Sequence, residues 1–161
     1  MRRRTLLAVL AVLIAGAVYA VSAGAFVGEY DRATVVVEDE ADDRLATVDA
    51  RVADTTYKRY VGLSATDSLG PDEGMLFVHE TSGTHAYVMR DMAFPLDIVF
   101  VAANGTITTI HEAPAESRPY TRYEGQGLYV LEVRQGYTAD HGIEVGDRVR
   151  IEGLDGGDGT D

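Results

Sequence analysis

Asn104-Gly105 stands between two runs that read as strands, and it constrains this chain more than any other feature. Upstream, Leu96-Asp97-Ile98-Val99-Phe100-Val101 is apolar on both faces apart from Asp97; downstream, Thr106 to Ile110 follow. Asn-Gly in that setting is the strongest short-range hairpin signal, because a type I′ turn needs positive φ at both central residues. A two-residue turn also sets register. Ala103 then faces Thr106, Val101 faces Thr108, Val99 faces Ile110, Ile98 faces His111, and Asp97 faces Glu112. Pro95 has no N–H to give a ladder, so the first strand starts at Leu96.

The rest of the chain reads as elements packed around that hairpin. Residues 33–38 and 45–53 are β-rich, separated by an acidic turn at 39–43. Thr55 or Thr56 can cap a short helix through Tyr57, Tyr60 and Val61. Gly70-Pro71 marks a loop. Residues 74–79 and 84–90 read as two strands joined across 80–83, and 129–134 as another. A helical turn at 136–142 and a tight turn at 145–147 lead to a last strand at 148–151. The expected domain, residues 29–152, is mostly β or α+β: a small barrel-like sheet with two short helices. The Gly- and Asp-rich tail at 153–161 reads as disordered.

Arg2, Arg3 and Arg4 form a basic start at 1–4, and no charge follows from Thr5 to Gly28. Residues 5–28 are long enough for one bilayer crossing, and the flanking charges put the domain outside the cell membrane. The rival reading is a secretory signal cleaved near Ala23-Gly24-Ala25. Net charge is −12 over 161 residues, and −15 without the three leading arginines, since 11 basic residues face 26 acids. Lys58 is the only lysine. Such a surface repels itself in dilute buffer and is relieved by salt, as in a salt-adapted, halophilic protein. It argues against nucleic acid as a partner, because affinity there is carried by Lys and Arg on phosphates. No cysteine is present, which excludes disulfides, thiolate chemistry and Cys zinc sites.

Two acids stand in runs that are apolar on both faces: Asp97, and Glu132 in Leu128-Tyr129-Val130-Leu131-Glu132-Val133. A carboxylate there must be paired, protonated or hydrogen-bonded. Asp97 opposite Glu112 could share a proton or hold a cation; the structural alternative binds Asp97 to Arg90 or to backbone amides around 89–94. For Glu132 the candidate cations are Arg90, Arg118 and Arg122. His79 and His85, with Met75, Met89 and Met92, could offer imidazoles and thioethers to copper, but their spacing matches no recognised ligand set, and no cofactor is expected. Gly-x-Ser-x-Gly and Gly-rich phosphate loops are both missing. The Arg118-Pro119-Tyr120-Thr121-Arg122-Tyr123 stretch could line a ligand groove.

A set of short motifs then gives a resemblance. Gly62-Leu63, Glu73-Gly74-Met75-Leu76-Phe77, Met89, Pro95-Leu96-Asp97-Ile98-Val99-Phe100, Gly105-Thr106-Ile107, Ala113-Pro114, Val130-Leu131-Glu132, Gly136 and Gly142-Ile143-Glu144-Val145-Gly146-Asp147 occur in this order over roughly residues 51–152. In order and spacing they resemble the prokaryotic domain of unknown function 192 (DUF192). The resemblance implies a small β-rich domain, often behind a signal or anchor, with no established activity. Asp97 and Glu132 fall on matching positions. Two departures stand out: Ser64, Ala65 and Thr66 replace a usual Met, aromatic and basic residue, and Tyr87 and Val88 lie where the family often carries Trp.

Two functions follow as expectations. One is an exterior, membrane-anchored binding or accessory module that takes a small molecule or a protein partner. The other is an enzyme, such as a hydrolase, in which Asp97 and Glu132 divide the acid and base roles. Without a catalytic motif, the first is favoured. Tyr87 and Arg90 join Asp97, Glu132 and Glu112 as the candidate polar site.

Overall fold

The computed structural model describes residues 29–154. The predicted membrane span and residues 155–161 of the predicted tail lie outside the described residues. Among the described residues no helix is long and apolar enough to cross a membrane. Gly153 and Leu154, expected in the tail, belong to the domain: Leu154 packs on the core.

Seven strands form one sheet: β1 (Arg32–Glu38), β2 (Arg44–Ala53), β3 (Glu73–Tyr87), β4 (Leu96–Val101), β5 (Ile107–Ala113), β6 (Tyr123–Arg134) and β7 (Arg148–Glu152), in the order β5-β4-β6-β3-β2-β1-β7. β2 and β3 are parallel, and every other pair is antiparallel. The parallel pair requires a crossover, which carries helix α1 (Thr56–Val61). Helix α2 (Tyr137–Asp140) follows β6. The two edges approach each other where Thr106 bridges Arg148 and the Val149 amide donates to the Gly105 carbonyl at 2.7 Å. The sheet is therefore a half-barrel, as the strand-rich pattern suggested.

Both faces of its centre are buried, which is why β4 and the end of β6 are apolar without alternation. One face carries Val35, Val48, Val52, Leu76, Val99, Leu131 and Val133, closed by Tyr137, Ile143 and Val149. Register places Met75, Glu132 and Ile98 side by side on the other face, followed by Phe77, Val130 and Phe100. That second face is the one under α1.

Three sequence expectations are corrected. The hairpin does not use a two-residue type I′ turn. Of its turn residues only Gly105 has positive φ, and the Gly105 amide donates to the Ala102 carbonyl, so a tight turn is followed by a one-residue bulge. Val101 consequently pairs with Ile107 rather than Thr108, while Val99–Ile110, Ile98–His111 and Asp97–Glu112 pair as expected. The reason lies in β7: a Cβ on Gly105 would sit 2.5 Å from the Val149 carbonyl oxygen, so the turn is shaped by the strand it docks on. Second, residues 74–79 and 84–90 are one long strand, β3, whose register to β6 shifts between Val78 and Gly83 and which ends at Tyr87. Third, β6 begins at Tyr123, six residues earlier than expected. Its first half is Gly-rich because other atoms occupy the side-chain space: a Cβ on Gly125 would fall 2.3 Å from the Phe100 ring.

Candidate functional site

Thr55 caps α1 by accepting the Lys58 amide at 3.1 Å, one of the two capping residues the sequence offered. The helix ends at Gly62, whose positive φ of 51° turns the chain back so that Leu63 is buried. Two arginines then fasten the surroundings. Arg59 donates to the carbonyls of Asp54 at 2.6 Å and Val78 at 2.8 Å, tying α1 to β3. Arg90 donates to the Tyr60 carbonyl at 2.6 Å and lies 4.1 Å over the Tyr60 ring, tying the loop after β3 to α1.

Between this clasp and the sheet lies a cavity of about 350 Å³. Leu63, Phe77, Met89, Met92 and Leu96 give it an apolar body; Glu132, Tyr87, His79 and His85 bring polar atoms. Ser64 and Val88, two of the positions where the chain departs from the family pattern, both line it. The size falls within the usual range for small-molecule sites. Tyr60, 66 % exposed, and Val88, 42 % exposed, lie at its edge.

Glu132 is the unusual group. It is buried between Met75 and Ile98, and among the described residues it makes no salt bridge. Burial pushes its carboxyl up to about 8, so it is predominantly protonated at neutral pH. The expected ion pair with Arg90, Arg118 or Arg122 does not form. Arg90 is held by Tyr60, Arg122 binds Glu124 at 2.8 Å, and Arg118 lies over Tyr120. A proton substitutes for the missing cation. Beside Glu132, burial and its carboxyl push the Tyr87 phenol well above its ordinary range. The Tyr87 hydroxyl is 2.9 Å from Nε2 of His79. Burial, then His85 and Arg59, hold the His79 ring down to about 4, so it is neutral. Nε2 of His85 is buried without a partner.

Asp97 is elsewhere. It pairs with Val133 while Ile98 pairs with Glu132, and because side chains alternate across a strand the two carboxyls point to opposite faces. Asp97 does accept amide bonds, as one reading expected, but from a different segment than residues 89–94. Its oxygens take the Gly136 amide at 3.1 Å, the Thr138 amide at 2.9 Å and the Thr138 hydroxyl at 2.7 Å. It therefore pins the entry to α2 from within the core. Glu112 sits opposite in register but is exposed on the edge strand. A mechanism shared between Asp97 and Glu132 has no common cleft.

The soft-metal set is partly assembled. His79, His85, Met89 and Met92 line the cavity, while Met75 is fully buried in the sheet. The two imidazoles stack face to face at 3.5 Å, only 8° from parallel. Their in-plane lone pairs run side by side and do not converge on one point. Among the described residues no group of three His, Asp or Glu side chains is arranged to hold a metal ion. The Arg118–Tyr123 stretch does not line the cavity. Sequence reading missed Arg59, Tyr60, Leu63 and Phe77; the helix cap and the Gly62 stop were the signals that would have pointed to them.

Comparison with known proteins fits this geometry. The sequence pattern of DUF192, described as an uncharacterized ACR, matches residues 36–151. A solved structure from Sinorhizobium meliloti 1021, described as a "putative transcription regulator", is similar with a TM-score of 0.72 and 29 % identity, over 78 % of this chain and 98 % of that one. A protein of unknown function from Novosphingobium aromaticivorans DSM 12444 is similar with a TM-score of 0.69 and 30 % identity, over 78 % of this chain and 89 % of that one. No curated protein matches the chain.

Proposed function

Since the chain belongs to the DUF192 family, whose description carries no activity, we propose from its own geometry that the domain is a small-molecule binding module. The observation that carries this reading is Glu132, an unpaired protonated carboxyl in the wall of a mostly apolar cavity. Its carboxyl makes no hydrogen bond to another described residue, so a ligand entering the cavity can complete its hydrogen bonds. The two-carboxylate enzyme reading receives no support from carboxyls on opposite faces. The description of the S. meliloti protein does not move the reading toward nucleic acid, because a chain of net charge −12 with one lysine is repelled by phosphates.

The module is held at the cell membrane through residues 5–28 with its domain on the exterior, and it works in a salt-rich medium. Support for the anchor is Arg2 to Arg4 ahead of an uncharged apolar run, and support for the salt-rich setting is the acidic, lysine-poor composition. The test is to purify the full chain from its native membranes in high salt and identify small molecules released on denaturation. One compound should accompany the wild type, be lost in Glu132→Leu, and raise the melting temperature of the wild type alone. A compound that stabilises both proteins equally, or no compound at all, counts against the cavity as the binding site.

A further inference from the structure

A protonated carboxyl differs from a carboxylate in what it can recognise. The ionised form only accepts hydrogen bonds; the neutral form sets one donor beside one acceptor. That pair is the complement of a primary amide, a lactam or an un-ionised carboxylic acid, each of which also carries a donor and an acceptor side by side. We propose that this cavity selects uncharged molecules bearing such a group, read by Glu132 in a two-point contact, with an apolar body seated on Leu63, Phe77 and Met89. The inference rests on the binding reading above and adds the class of ligand.

The surroundings of Glu132 favour a neutral head group. On β3, His79, His85 and Tyr87 line the same cavity, and Tyr87 already contacts His79. On the β4 side the neighbour is Ile98, with His111 beyond it on β5; on the other side Met75 separates Glu132 from Arg51 on β2. Above it, Arg59 and Arg90 also line the cavity; the hydrogen bonds they make go to main-chain carbonyls and the Thr56 hydroxyl, and each guanidinium has an acid near it, Glu80 at 3.8 Å and Asp91 at 3.9 Å. Among the described residues neither guanidinium pairs with Glu132 itself, so a head group docked on Glu132 meets a neutral carboxyl. A ligand carboxylate held against Glu132 would be desolvated beside a neutral carboxyl while both lining arginines keep their present partners, which is unfavourable. An amide meets no such barrier, since Glu132 satisfies both of its hydrogen-bonding edges.

Benzamide, N,N-dimethylbenzamide and toluene separate the possibilities, because they share a ring and differ in the donor–acceptor edge. Each is titrated into the full-length protein while the main-chain amides of Ala86, Tyr87 and Met89 are followed by NMR. At about pH 6.5 benzamide should bind at least about tenfold more tightly than dimethylbenzamide, a difference of one to two hydrogen bonds. At about pH 9.5, where Glu132 has lost its proton, benzamide should weaken by about tenfold or more. Glu132→Gln keeps one donor and one acceptor, so it should hold benzamide within a few-fold of wild type and remove the pH dependence. Equal binding of all three probes, or benzamide binding unchanged by pH in the wild type, would overturn the inference and leave the binding function standing. If none of the probes shifts those amides, both readings fall.

Discussion

At the residue scale, two buried acids of similar sequence setting do opposite things. Asp97 accepts three hydrogen bonds and has no opening to solvent; Glu132 accepts none and faces a cavity. Asp97→Asn replaces one acceptor oxygen with a donor. The amide must then face either the Gly136 N–H or the two Thr138 donors, leaving an orphan. The expected cost is about 1–3 kcal/mol, read as a lower denaturation midpoint with the fold retained. An unchanged melt would show that Asp97 does not hold α2. For Glu132 the linkage sign is opposite to that of a paired carboxylate. Its raised pKa means that the folded state keeps a proton the unfolded chain gives up, so the stability it contributes is full below about pH 4.3 and lost as pH rises toward about 8. His79, held down to about 4, contributes in the other direction, losing stability as pH falls below about 6.5. The two oppose each other in acid, so the decline should be visible between about pH 6.5 and 8. Thermal melts across that window should fall for the wild type and stay flat for Glu132→Gln; parallel slopes would assign the decline to another group.

At the element scale, the hairpin and the cavity cover decide the shape. Gly105→Val forces a β-branched residue to φ 88° and drives its Cβ into the Val149 carbonyl. The expected loss is about 1 kcal/mol or more, with β7 and the Thr106–Arg148 bridge disturbed first. Hydrogen exchange that accelerates at Val149 before the centre of the sheet would verify that order; uniform acceleration would not. The hairpin was legible in the sequence because its signal is local. The bulge was not, because the turn is shaped by a strand more than forty residues later in the chain. The same is true of the early half of β6: Glu124-Gly125-Gln126-Gly127 has no apolar pattern of its own, and its glycines leave space for the Phe100 ring at Gly125 and for the Val101 backbone at Gly127.

At the scale of the whole molecule, acids far outnumber basic residues. Outside the three leading arginines the chain carries −15, and Asp39, Glu40, Asp42 and Asp43 crowd one turn. Ion pairs such as Arg32–Asp49 and Arg134–Asp140 are solvent-exposed and contribute little each. Raising salt from low to molar concentration should therefore raise the melting temperature, since screening relieves repulsion while forfeiting little pairing. A flat or falling response would remove salt adaptation from the proposal.

The sequence by itself determined the strand-rich class, the family resemblance, a threonine cap at Thr55 or Thr56, and the burial of Asp97 and Glu132. These are readable because propensity, caps and apolar runs act over a few neighbouring residues. Only the tertiary structure decided what each acid meets. Strand order sets Ile98 and Met75 beside Glu132, so the one-residue difference between Asp97 and Ile98 sends the two carboxyls to opposite faces. Asp97 then finds the amides of α2, and Glu132 finds a cavity roofed by α1 and the loop that Arg90 fastens to it. Side-chain alternation is a local rule, but which face becomes core and which becomes cavity depends on segments far apart in the chain.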